Sequence, residues 1–241
     1  MLFIYLYIIY LISVFAGGFT GFYPWIRIDR LNKKTLLNTI LIALFIFTFL
    51  MAAYLAGFFP QPVAAPTMAA FYSFLSGFFT GYAVRLISLR ANTGTILYTH
   101  QSFWIDHAPN LLSLIIILFG LYRSALLTSE PVTDIRLTSG ISLMCFGFFG
   151  WTVKLVPDFR SGGILLFDKK ISWHQVISWH WYSENVLQIE YMSDIGKKSE
   201  GVKEFLTSIP EDERLRIETI LESKMDEHTN QRKELLLKDN D

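Results

Sequence analysis

His100, Asp106 and His107 are the residues whose types and spacing come nearest to a reactive centre. If one helix carried both histidines, positions seven apart would share a face, and Asp106 could orient one imidazole. The chemistry would then be metal or haem ligation, which needs further ligands or a buried location. Ligands are scarce: the chain has five histidines, and the other three lie beyond residue 170. The plainer reading of this cluster is a polar segment ahead of an apolar run.

Other candidates carry charge or aromatic bulk. Arg85 and Lys154 stand near the ends of apolar runs, where a basic side chain can contact an anionic lipid or substrate, or simply reach the headgroups. Arg123 ends a run on the opposite side, so it cannot share a pocket with them. Trp173-His174 and Trp179-His180 would form a ligand cage if both tryptophans projected from one strand face; Trp173, Trp179 and Trp181 otherwise read as the core of a small domain. The single cysteine, Cys145, lies in an apolar run and reads as a small hydrophobe. No Walker loop, Gly-x-Ser-x-Gly elbow or His-Glu-x-x-His motif occurs. No acidic residue interrupts the middle of an apolar run, which weakens proton-coupled transport. No basic stripe interleaved with aromatics suggests nucleic-acid binding. The residues therefore assign no catalytic group, no metal and no cofactor.

The segments that must position these residues are organised around Thr35–Val84, fifty consecutive residues without Asp, Glu, Lys, Arg or His. Pro60-Gln61-Pro62-Val63-Ala64-Ala65-Pro66 divides it, leaving two halves each long enough to cross a bilayer as a helix. Hydrophobic residues make up 52% of the 241, charged residues 17%, and the mean hydropathy is +0.37. Charge is unevenly placed. Residues 1–156 hold nine basic and four acidic residues, net +5; residues 157–241 hold twelve and seventeen, net −5.

These patterns predict a membrane all-α bundle over residues 1–157 with about five spans, at 2–23, 36–59, 68–89, 105–127 and 137–156. Residues 2–23 read as a retained span rather than a signal peptide, because they lack a basic leader and a small-residue cleavage site. Trp25 would anchor at the interface, followed by Arg27, Arg30, Lys33 and Lys34. Positive loops stay cytoplasmic, so the N-terminus is expected outside and the C-terminus inside. Gly77 and Gly81 form a GxxxG pair suited to close helix packing, or less simply to homo-oligomers.

Residues 158–225 predict a small cytoplasmic α+β domain of antiparallel strands and a C-terminal helix. Strand candidates are Ile164–Phe167, Ile171–Tyr182, the alternating Leu187, Ile189 and Tyr191, and an edge strand over Val202–Leu206, with turns at Asp168-Lys169-Lys170 and Ser183-Glu184-Asn185. Ser208 is the expected N-cap, with Pro210 in the first turn, Glu211, Asp212 and Glu213 at the positive end of the dipole, and Ile217, Ile220, Leu221 and Met225 on one face. Residues 226–241 read as a charged helical extension or flexible tail.

Gly163-Ile164, then Ser172-Trp173-His174-Gln175-Val176-Ile177-Ser178-Trp179-His180-Trp181, then Val186–Tyr191 resembles a small uncharacterised bacterial module similar to bacterial pleckstrin-homology-like domains. The resemblance covers residues 160–223. It implies a fold, a tethered arrangement and a bacterial inner membrane, and brings no catalytic motif. Three function classes follow. The favoured one is a membrane-anchored, non-enzymatic scaffold or regulator whose module contacts a protein partner, the lipid bilayer or its own helical half. A transporter or channel component is second, and a membrane-embedded metal or haem enzyme using His100 and His107 is third.

Overall fold

The computed structural model describes residues 2–23, 33–100, 103–129, 131–154, 156–192 and 201–229. The basic segment with Trp25, Arg27 and Arg30, the polar stretch around Gly196, the side chain of Asp106 and the tail beyond residue 229 lie outside them. The chain divides into two compact units. One comprises residues 1–88 and 103–153; the other comprises 89–102 and 154–241.

The first unit is helical: α1 (Leu2–Phe22), α2 (Lys33–Leu55), α3 (Gln61–Ala91, whose last turn belongs to the second unit), α4 (Phe103–Arg123) and α5 (Asp134–Thr152). Helices stand at all five expected spans. Among the described residues, three are long and apolar enough to cross a membrane, over Ile4–Phe22, Leu37–Leu55 and Gln61–Ala91. The apolar part of α4, His107–Arg123, is shorter. The helix α5 carries Asp134 and Arg136 in its first turn. Large side chains such as Phe15, Phe45 and Leu55 are exposed along α1 and α2, more apolar area than a water-facing surface normally sustains.

The proline segment, which the sequence predicts as a loop, is helical instead: α3 begins at Gln61 and runs through it. Pro62 falls in the first turn, where a helix needs no amide donor, and only Pro66 removes an interior bond. The resulting helix is about 46 Å long, more than the hydrocarbon layer requires.

Small residues set the packing inside this unit. A Cβ at Gly77 would meet the carbonyl oxygen of Val14, and one at Gly81 that of Gly18. In return, Gly17 and Gly21 of α1 lie against the Phe74 and Phe78 carbonyls of α3. Two GxxxG pairs therefore bring backbone onto backbone. Gly18, one position away, has its nearest such neighbour at 3.7 Å. Gly17→Ala and Gly21→Ala are each expected to destabilise the α1–α3 contact by about 1–3 kcal/mol, because backbone cannot yield as a side chain can. Gly18→Ala is expected to be tolerated. Unfolding of the detergent-solubilised variants, followed by circular dichroism, checks the contrast.

Elsewhere in this unit, α3 and α5 meet through aromatic rings, with Phe79 4.9 Å from Phe146 and Tyr82 5.2 Å from Phe149. Between α4 and α5, Gly120, Gly140 and Gly147 leave no room for a Cβ.

The second unit contains two antiparallel sheets. The first has the order β1 (Ile96–Thr99), β2 (Asp158–Arg160), β3 (Gly163–Leu166), β4 (Lys169–Ile171). The second has the order β5 (Val176–Ser183), β6 (Val186–Met192), β7 (Val202–Ser208). A helix, α6 (Arg214–Glu227), follows. One core serves both sheets and the helix, including Tyr98, Phe159, Ile164, Trp173, Leu187, Ile189, Ile217 and Leu221.

Three local expectations change here. The turn after β3 is at Phe167-Asp168, with Phe167 at φ 53°, and Lys169 and Lys170 already belong to β4. Ile171–Tyr182 is not one strand. The 3-10 turn Trp173–Gln175 breaks it, held by the Ser172 amide donating to Gln175 Oε1 at 2.9 Å. Ser208 ends β7 and caps nothing; Pro210 opens a 3-10 turn over Glu211–Glu213, and α6 starts only at Arg214. The apolar face of α6 is as the spacing predicts: Ile217 and Leu221 are buried, with Ile220 and Met225 packed beside them.

Candidate functional site

The sequence gives a polar loop between the third and fourth apolar runs. The structure makes part of it a strand of the C-terminal sheet. Thr99 lies opposite Asp158, Tyr98 opposite Phe159 and Ile96 opposite Arg160, with an irregularity between Ile96 and Tyr98. Backbone pairing continues past the strand: the Ser161 amide donates to the Thr95 carbonyl and the Gly162 amide to the Thr93 carbonyl, each at 2.9 Å. The ladder makes β1 and β2 a hairpin into whose turn α4 and α5 are inserted.

A buried ion pair sits on this ladder. Asp158 Oδ2 accepts from Arg160 Nη2 at 3.1 Å, and both side chains are at least 90% buried. Arg160 Nη1 donates to the carbonyls of Arg90 and Gly94, each at 3.1 Å. Arg90 is in the last turn of α3, so the guanidinium meets the negative end of that helix. Asp158 Oδ1 accepts from Thr99 Oγ1 at 2.9 Å and lies 3.6 Å from Lys154 Nζ. The indole Nε1 of Trp173 donates to the Arg160 carbonyl at 2.9 Å. Among the described residues, the buried Arg160 Nε has no hydrogen-bond partner. Such an atom carries the desolvation cost of an unmade hydrogen bond.

At the other side of β1, Tyr98 donates its hydroxyl to Glu213 Oε2 at 2.5 Å, and His100 Nδ1 lies 3.4 Å from the same oxygen. Arg216 donates to the Leu97 carbonyl at 3.3 Å, with its guanidinium 6.0 Å from the Tyr98 ring. Burial, and then the bond to Glu213, push the Tyr98 phenol well above its ordinary range. Nearby on the same unit, Trp181 Nε1 donates to Glu218 at 2.7 Å while Arg214 lies over the indole at 4.5 Å. The Arg214 bond, with the indole bond second, holds the Glu218 carboxyl below its usual range.

The other expected site residues are placed as follows. His100 follows β1 in the second unit and His107 lies in α4 of the first, so the two do not share a helix face. The physical reason is that Ile96–Thr99 joins the sheet, and the helix begins only at Phe103. No group of three or more His, Cys, Asp or Glu side chains able to hold a metal occurs among the described residues. Arg85, in α3, has its guanidinium 5.2 Å from the Tyr82 ring. Lys154 stands beside Asp158, in the other unit from Arg85. Cys145 is half-buried in α5. Trp173 is fully buried, and Trp179 and Trp181 pack partly buried against the same core. Trp173 belongs to the 3-10 turn rather than to a strand, so it and Trp179 do not form a cage on one strand face.

Among the described residues, this cluster pairs no nucleophile with a base. It offers a polar junction within the second unit: Arg90 at the end of α3, the strand before α4 and Lys154 after α5 all meet Asp158 or Arg160. Sequence reading missed it. The signal was present in Ile96-Leu97-Tyr98-Thr99, four strand-forming residues after Gly94, which has φ +87°. Compared with family models, with curated proteins and with solved structures, this chain matches none.

Proposed function

We propose that this chain is a multi-span membrane protein acting as a non-enzymatic scaffold or regulator, with the second unit as its cytoplasmic interaction module. One observation carries the reading: β1 and β2 hydrogen-bond to each other although α4 and α5 separate them in sequence. A ladder cannot form across a bilayer, so α4 and α5 either both cross or neither does. The module is then joined to the helices at three points, by α3, α4 and α5. That connectivity suits a device that reports on its membrane half rather than a freely tethered domain. The charge bias supports a cytoplasmic module, with Arg85 and Arg90 just ahead of the segment that supplies β1. The pleckstrin-homology-like reading of the module rests on its tryptophan-rich pattern.

The test uses single cysteines in a Cys145→Ser background. A membrane-impermeant maleimide applied to intact cells is expected to label Gln61→Cys and to spare Asn185→Cys. A photo-crosslinker at the exposed Leu206 is expected to yield discrete protein adducts in native membranes. Labelling of Asn185→Cys from outside would overturn the orientation, and crosslinks to lipid alone would overturn the scaffold.

A further inference from the structure

We infer that β1 is a detachable strap, held in the module by the Asp158–Arg160 pair, and that its release and return are the means by which the membrane helices regulate the module. The purpose rests on the regulatory reading above; the detachment itself does not.

Four observations carry it. The strand is short and lies at the edge of its sheet, so its removal breaks one ladder only. It gives the core a single side chain, Tyr98, whereas Ile96 is 50% exposed. Apolar burial therefore contributes little to its docking, and elements with few buried apolar contacts open at low free energy. What holds it instead is polar and charged. Thr99 bonds Asp158, Arg160 bonds the Gly94 and Arg90 carbonyls, Ser161 Oγ accepts from the Thr95 amide at 3.1 Å, and Glu213 accepts from Tyr98. Finally, the pair is incompletely satisfied, since Arg160 Nε has no partner among the described residues. A buried ion pair of this kind is weak evidence for stability, and its best-attested use is to fix a register or act as a switch.

The strap is covalently continuous with α3 on one side and leads into α4 on the other. A shift of one helix end against the other acts directly on a four-residue strand. When the strap leaves, Asp158 and Arg160 remain adjacent on β2 but lose Thr99 and both carbonyls. Strand β2 then becomes the edge of a three-stranded sheet, with Phe159 uncovered. The second sheet, β5 to β7, shares no ladder with β1 and keeps its own.

Hydrogen exchange with mass spectrometry on the full-length Cys145→Ser protein in lipid nanodiscs tests this. In the unsubstituted site, amides of residues 95–99 are expected to exchange at least about tenfold faster than those of β3 and β6. Asp158→Asn should raise their exchange on the order of a hundredfold, by stranding the buried guanidinium, and leave β5 to β7 unchanged. A second variant guards against simple misfolding. Thr99→Cys with Asp158→Cys places a cysteine pair at directly opposed positions, a spacing a disulfide can bridge. The reduced form should exchange fast at 95–99, and the oxidised form should be protected. If residues 95–99 exchange at the rate of β3 and β6, or if oxidation changes nothing, the strap is an ordinary fixed strand. Partner capture plays no part in this readout, so failure here and failure of the scaffold reading are separate results.

Discussion

A soluble chain that joins residues 89–99 to residues 158–229 through a short glycine-containing turn is expected to fold cooperatively as a monomer. Residues 156–229 alone are expected to fold with lower stability. Antiparallel pairing with Thr99 opposite Asp158 makes β1–β2 a hairpin whose connection is the whole of α4 and α5. Hairpins close well with loops of about two to five residues, so the helical insertion is dispensable for the local backbone geometry. The strand is not. Without it, Phe159 loses Tyr98, whose ring centroid is 5.7 Å away, and Arg160 loses both carbonyl acceptors. Asp158 stays with the fragment and keeps its pair with Arg160, so the loss is that of hydrogen bonds to a charged group, about 1.5–3 kcal/mol each. Thermal unfolding by circular dichroism distinguishes the two chains: the fused chain is expected to melt at a clearly higher temperature than the shorter fragment. Equal midpoints would show that β1 is peripheral to the fold.

The second large effect is expected at Trp173. Its side chain is 1% exposed and sits where the 3-10 turn meets both sheets, within the core that includes Phe159, Ile164 and Leu221. Trp173→Ala should destabilise the module by about 3–5 kcal/mol, through lost transfer energy and the cavity left behind. Trp173→Phe separates packing from hydrogen bonding. Most of the apolar area remains, but the Arg160 carbonyl loses its donor, at a cost of about 1–3 kcal/mol for an unsatisfied buried group. Chemical denaturation of the fused soluble chain measures both, with unchanged slope as the sign that only stability moved. Equal effects of Phe and Ala would mean that the indole donor, rather than its bulk, dominates.

Much of the architecture was legible from single runs of sequence. The uncharged Thr35–Val84 stretch marks α2 and most of α3 because an unbroken uncharged run of that length is the pattern of a candidate span. The alternation of Leu187, Ile189 and Tyr191 marks β6, which is buried on one face. The spacing of Ile217 and Leu221 marks the buried face of α6. Gly17 and Gly21 were as visible as Gly77 and Gly81, but nothing in either helix says that the four glycines oppose one another.

The junction was legible in none of these ways. Asp158, Arg160 and Lys154 look in sequence like ordinary polar residues after an apolar run. The strand β1 is too short to show a period, and its buried face depends on Phe159 and Glu213, which lie far along the chain. The sequence alone determined which segments are apolar, because transfer free energy is a property each side chain carries with it. Only the tertiary structure decided that residues 89–102 belong to the C-terminal unit, because strand pairing is a property of two backbones at once and leaves no mark on either one alone.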